Sequence, residues 1–294
     1  MKILKGVCPN MSRILTTVCL IAILMMAVSA RLAASAFTFS TGNPDGLIGA
    51  LSRPAAPGLL ETETADDFLL NQATIITQAT FTGLLPAGLP LSSVTDIEIE
   101  LYNIFPLDST NPPDGRVPTR VNSPADNQFA AFNSAAGEIT FSETLLNSNF
   151  SVLNTVKDGI NPLPNQFTGG EGPASGQEVE FTVTFGSGFT LPAGHYFFRP
   201  EVGLTSGDFL WLSAPRPIVP PGTPFAGDLQ AWTRNTDLDP DWLRIGTDIT
   251  EQGPFNMTFT LAGDTVPEPG TVVILGLGTA LIAAARSRSK RKNP

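Results

Sequence analysis

Three aspartates at alternate positions, Asp237, Asp239 and Asp241, with Asp248 following, form the densest group of chemistry-bearing side chains in this sequence. Alternate carboxylates supply the hard oxygen donors that calcium prefers. The order partly follows an EF-hand loop, but Trp242 stands where the sharp turn needs glycine, and Asp248 where a bidentate Glu belongs. An EF-hand is therefore excluded. Two expectations stay open, a calcium site in a loop between strands and a solvated acidic turn. Asp66 and Asp67 are a smaller pair of the same kind, one of them suited to satisfying a turn.

Trp211, Trp232 and Trp242, with Tyr196, could stack against sugar rings as a glycan platform; the same aromatics equally suit a core. Glu98 and Glu100 are paired carboxylates, but they share one strand face, whereas glycoside hydrolysis needs two carboxyls facing each other across the bond to be cut. His195 is the single histidine, so hydrolase triads and multi-histidine metal sites are excluded by inventory. No phosphate-binding loop, dinucleotide fingerprint or H-E-x-x-H pattern occurs. Gly276-Leu277-Gly278 lies in an apolar run and carries no phosphate meaning. Calcium is the one cofactor the residues suggest, and no catalysis is expected.

The elements that must position these residues read as strands. Ile97, Ile99 and Leu101 alternate with Glu98, Glu100 and Tyr102, the pattern of a strand with one buried face and one solvated acidic face. Val179 to Phe185 and Phe255 to Leu261 alternate in the same way, with threonines between the apolar residues. Further strands are expected at 66–70, 73–82, 138–142, 195–202 and 209–213, and a short helix around 142–149. Leu-Pro-Ala-Gly occurs twice, at Leu85–Gly88 and Leu191–Gly194, each time as a turn beside a strand. Segments 106–127 and 161–177 read as Pro/Gly/Asn-rich loops. At least eight short strands without a βαβ rhythm predict a mainly β, two-sheet sandwich of jelly-roll type over residues 37–265.

Charge is distributed unevenly. Residues 37–265 hold 26 acidic and 8 basic side chains, a net of −18 against −10 for the whole chain. So acidic a surface repels phosphate backbones, which excludes nucleic acid as a partner. Both cysteines, Cys8 and Cys19, precede this segment, so it holds no disulfide and relies on its core.

The two ends have a different character. Lys2, Lys5 and Arg13 precede an apolar run from Ile14 to Ala30, and Ala34-Ser35-Ala36 fits a signal-peptidase site. Residues 1–36 are thus expected to be a signal peptide cut after Ala36, with cleavage after Ala30 and a retained anchor as alternatives; Met11 is an alternative start. At the other end, an uncharged run from Thr271 to Ala285 spans roughly 22 Å as a helix, short of a hydrocarbon core of about 30 Å. Arg286, Arg288, Lys290, Arg291 and Lys292 follow it and can snorkel to the headgroups, which extends the span and holds this end cytoplasmic. Pro267 and Pro269 stop a helix from continuing upstream.

Pro267-Glu268-Pro269, then Gly270-Thr271, the apolar run and the basic tail, together resemble the PEP-CTERM sorting signal over 266–294. The resemblance implies an exported bacterial protein whose tail is recognised by a membrane-embedded exosortase, processed near the motif, and delivered to an exopolysaccharide-rich surface or matrix. Thr64-Ala65-Asp66-Asp67-Phe68 and Trp242 to Gly246 resemble segments of jelly-roll ectodomains in the same family. The expectation is therefore a non-catalytic exported protein, handled by export machinery, signal peptidase and exosortase, and anchored by a C-terminal transmembrane helix before processing. A glycan- or calcium-binding module is the alternative, and a carbohydrate-active enzyme stands behind both.

Overall fold

In the computed structural model the described residues are 34–112, 115–160, 167–215, 230–267 and Gly278. Their strands are β1 (Ala36–Ser40), β2 (Ile48–Leu51), β3 (Thr62–Leu70), β4 (Thr74–Pro86), β5 (Val94–Ile104), β6 (Pro124–Asn133), β7 (Ile139–Val152) and β8 (Asn154–Val156). They continue with β9 (Ala174–Leu191), β10 (Gly194–Leu204), β11 (Leu210–Ala214), β12 (Trp232–Asn235), β13 (Leu243–Arg244), β14 (Asn256–Met257) and β15 (Phe259–Thr265). Two sheets form. The smaller runs β13-β12-β3-β10-β5-β6, antiparallel throughout. In the larger, β4 is central, with β15 and β11 on one side and β9 on the other. From β15 the larger sheet continues to β1; from β11 it continues to β2 and β8; β7 lies beyond β9.

Period-two alternation turns one face of each sheet inward, and the inner faces close on an aromatic core. Phe198 of β10 stacks on Phe259 of β15 at 5.2 Å, and Phe68 of β3 meets Phe39 of β1 at 6.1 Å. Phe81 of β4 stacks on Phe181 of β9 at 5.1 Å, and Phe209 meets both rings edge-on. Phe209 approaches so closely because Gly83 lies beneath it: a Cβ there would fall 1.9 Å from the ring. Both Leu-Pro-Ala-Gly turns do the same job. Each ends a strand of the larger sheet, β4 or β9, and leads to a strand of the smaller, β5 or β10.

Mainly β structure in two packed sheets is the predicted class. Three local expectations are corrected. Residues 142–149 are part of strand β7 and not a helix; Ser and Asn there compete poorly for helix, and Ile139 to Leu145 pair without a break with β9. The expected loops 106–127 and 161–177 both end earlier, since β6 begins at Pro124 and β9 at Ala174. Residues of the first loop and the start of β6 pack against aromatic side chains beside the smaller sheet. Arg120 lies over the Phe105 ring at 4.4 Å, and Trp242 donates from Nε1 to the Ala125 carbonyl at 3.2 Å.

Candidate functional site

The outer face of the smaller sheet is not the solvated acidic surface that the alternation of β5 predicts. Glu100 and Tyr102 are buried there, because Phe197, Trp232, Trp242 and Ala65 build a second apolar cluster around Tyr102. In antiparallel register Arg199 of β10 stands opposite Glu100 of β5, and Arg234 of β12 opposite Glu63 of β3. Each arginine therefore meets a carboxylate on the next strand, and burial makes the match obligatory.

Arg199 is fully buried and holds four carboxylates. Its Nη2 lies 2.9 Å from Glu61 and 3.2 Å from Glu63, and its Nη1 lies 3.1 Å from Glu100 and 2.8 Å from Glu201. Arg234 pairs through Nε with Glu63 and through Nη1 with Asp239 at 2.7 Å, and its guanidinium lies over the Trp242 ring at 4.4 Å. The Tyr102 hydroxyl donates to Glu100 at 2.6 Å. Burial pushes the Glu201 carboxyl up to about 8; Arg199 opposes the shift, while Glu61, Glu63 and Glu100 add to it. Burial raises Glu100 too, partly offset by Arg199 and Tyr102. Burial acts on Glu63 in the same sense, but Arg199 and Arg234 overcome it and hold this carboxyl below its ordinary value. Beside the cluster, Glu61, Glu63, Arg234, Asn235, Thr236 and Asp239 line a recess of about 120 Å³. Ligand pockets are commonly 300 Å³ or more, so this recess suits a few waters.

The four predicted calcium ligands are not brought together. Asp237 is exposed, and its main-chain carbonyl accepts from Arg116. Asp239 pairs with Arg234, Asp241 with Arg120 at 2.7 Å, and Asp248 with Arg244 at 2.6 Å. Among the described residues no group of three or more His, Cys, Asp or Glu side chains is placed to hold a metal ion. The tryptophan platform is likewise corrected. Trp211, Trp232 and Trp242 are each 0 % exposed and offer no ring face to a sugar. Trp211 belongs to the main core and donates to the Thr258 carbonyl at 2.7 Å, whereas Trp232 and Trp242 belong to the outer cluster. Their apolar bodies fill the spaces between strands and covering loops.

His195 of β10 lies 2.6 Å from Asp67 of β3 and stacks on Phe197, tying two strands together. Sequence reasoning missed Arg199, Arg234 and Arg120, the residues around which the buried charge is arranged. A signal was present: Phe197-Phe198-Arg199-Pro200 places an arginine within an apolar strand, and this acidic segment has few cations to spare.

Ala34 is exposed, and Ala36 opens β1 opposite Asp264 of β15. Pro267 is half-buried. The signal run before Ala34, Glu268, Pro269 and the basic residues Arg286, Arg288, Lys290, Arg291 and Lys292 lie outside the described residues. Among the described residues no helix is long and apolar enough to cross a membrane. The PEP-CTERM protein-sorting motif matches residues 265–291. No curated protein matches the chain.

Proposed function

We propose that this chain is an exported surface or extracellular-matrix protein, delivered by its tail and without catalysis of its own. The sorting motif at 265–291 carries the proposal; it implies export, anchoring in the membrane and processing by an exosortase. A signal peptide ending at Ala36 starts export, the apolar run from Thr271 with its basic flank halts it in the inner membrane, and processing near Pro267 releases residues 37–265 to the surface. The sandwich supports a role as stable cargo. Arg199 and Arg234 engage the buried Glu63, Glu100 and Glu201, and the recess beside them is smaller than common ligand pockets.

Replacing Pro267-Glu268-Pro269 by Ala-Gln-Ala tests the reading in the native host. Cell fractionation is expected to show the variant held uncleaved in the inner membrane while the parent protein reaches the surface or medium. Identical distributions of the two would sink it.

A further inference from the structure

Sheet edges expose unpaired backbone groups, and proteins defend them with short strands, charges, proline or cover. Most edges here are defended. β1 has five residues, β8 three and β13 two. β6 is longer, but its register with β5 breaks twice and Pro124 opens it. β7 differs. It runs for 14 residues without Lys, Arg or Pro, and Glu143 is its one charge. One side pairs with β9, and among the described residues no strand pairs with the other. Residues 144–149 are all exposed, among them Leu145 at 45 % and Leu146 at 49 %.

Two register rows of the flank are uncharged as well, and the first charge, Glu180, stands beside Thr144 in the row beyond them. Across five strands the outward positions Ser142, Thr182, Thr80, Thr260 and Ser40 stand in one register row. The next row is Thr140, Thr184, Gln78, Ala262 and Thr38. Ten positions without a charge are unusual where roughly 25–35 % of a surface is normally charged. Two copies of a segment carrying −18 repel each other over most of their surface. They repel least where this edge and its flank meet their own counterparts.

We propose that β7 is a self-association edge, pairing antiparallel with β7 of a second copy about an axis at Ser142. Such an interface is isologous, the same strand serving both partners. The unbroken stretch Ile139–Leu145 supplies the template; the register breaks with β9 begin beyond Leu145. In this register Ile139 meets Leu145, Thr140 meets Thr144, and Glu143 faces Phe141, so no glutamate opposes another. The Ser142 row then runs on through both larger sheets.

Cysteine cross-linking of the full-length protein in detergent tests this, with Cys8 and Cys19 replaced by serine. Directly opposed Cα atoms in an antiparallel pair are about 4.5–5.5 Å apart, within disulfide reach. Ser142→Cys is expected to give mostly a disulfide-linked dimer, and Thr38→Cys on the opposite edge at least tenfold less. In light scattering the cysteine-free protein is expected to be dimeric, and Ser142→Lys monomeric with an unchanged circular dichroism spectrum. Three results would each overturn the proposal: a monomeric parent, no cross-link at Ser142→Cys or in the Thr140→Cys/Thr144→Cys double variant, or a dimer undiminished by Ser142→Lys. None of them bears on tail processing.

Discussion

Glu201 binds the buried Arg199, yet its own environment favours the neutral acid. In the folded protein its carboxyl titrates near 8, against 4.5 ordinarily, because burial and three neighbouring carboxylates outweigh the guanidinium. The native state therefore holds a proton that the unfolded chain releases above about pH 4.5, so stability falls as pH rises from there toward 8. Glu100, also raised, contributes with the same sign. Glu63 and Asp126 are held below their ordinary values and act oppositely, their contribution being lost as pH drops below about 4. Stability is expected to peak near pH 5 and to decline by about 3 kcal/mol toward pH 8. Thermal melts across pH 4 to 9 would show this, and Glu201→Gln should flatten the descending limb. A parent Tm that rises steadily from pH 5 to 8 would refute the assignment.

At the scale of elements, the strands that alternate most strictly were the most legible. The expectations for β5, β9 and the run into β15 follow from apolar residues at every second position. What alternation cannot show is whether the polar face stays wet. Glu100 and Tyr102 are covered by residues about a hundred or more positions later, Phe197, Trp232 and Trp242, and their partner Arg199 is as distant. The Asp237–Asp241 run was hard to read partly for the same reason: Asp241 is spent on the distant Arg120, while Asp239 pairs with the nearby Arg234. Close packing was equally hidden, since nothing near Gly83 announces that Phe209 lies against it. Gly83→Ala is expected to cost about 1–3 kcal/mol, several degrees of Tm, because its Cβ would enter the ring. Phe209→Leu in that background should recover part of the loss. An unchanged Tm in Gly83→Ala would contradict the packing of Phe209 on β4.

Across the whole chain, charge is sharply divided. The folded segment carries −18 without a cysteine, and most of the remaining cations sit beside the two apolar runs at its ends. A segment this acidic contributes an uncrosslinked core and a soluble surface, while the sorting motif at 265–291 contributes the address. Function was thus legible at the C-terminal end of the sequence, where a short linear pattern acts without a fold. It was poorly legible in the middle, where the suggestive residues turned out to hold the structure together. Intact-mass spectrometry of the protein recovered from the cell surface or medium tests the central claim most directly. The account predicts a chain beginning at Phe37 and lacking the residues that follow the Pro-Glu-Pro motif; a chain still running to Pro294 would contradict it.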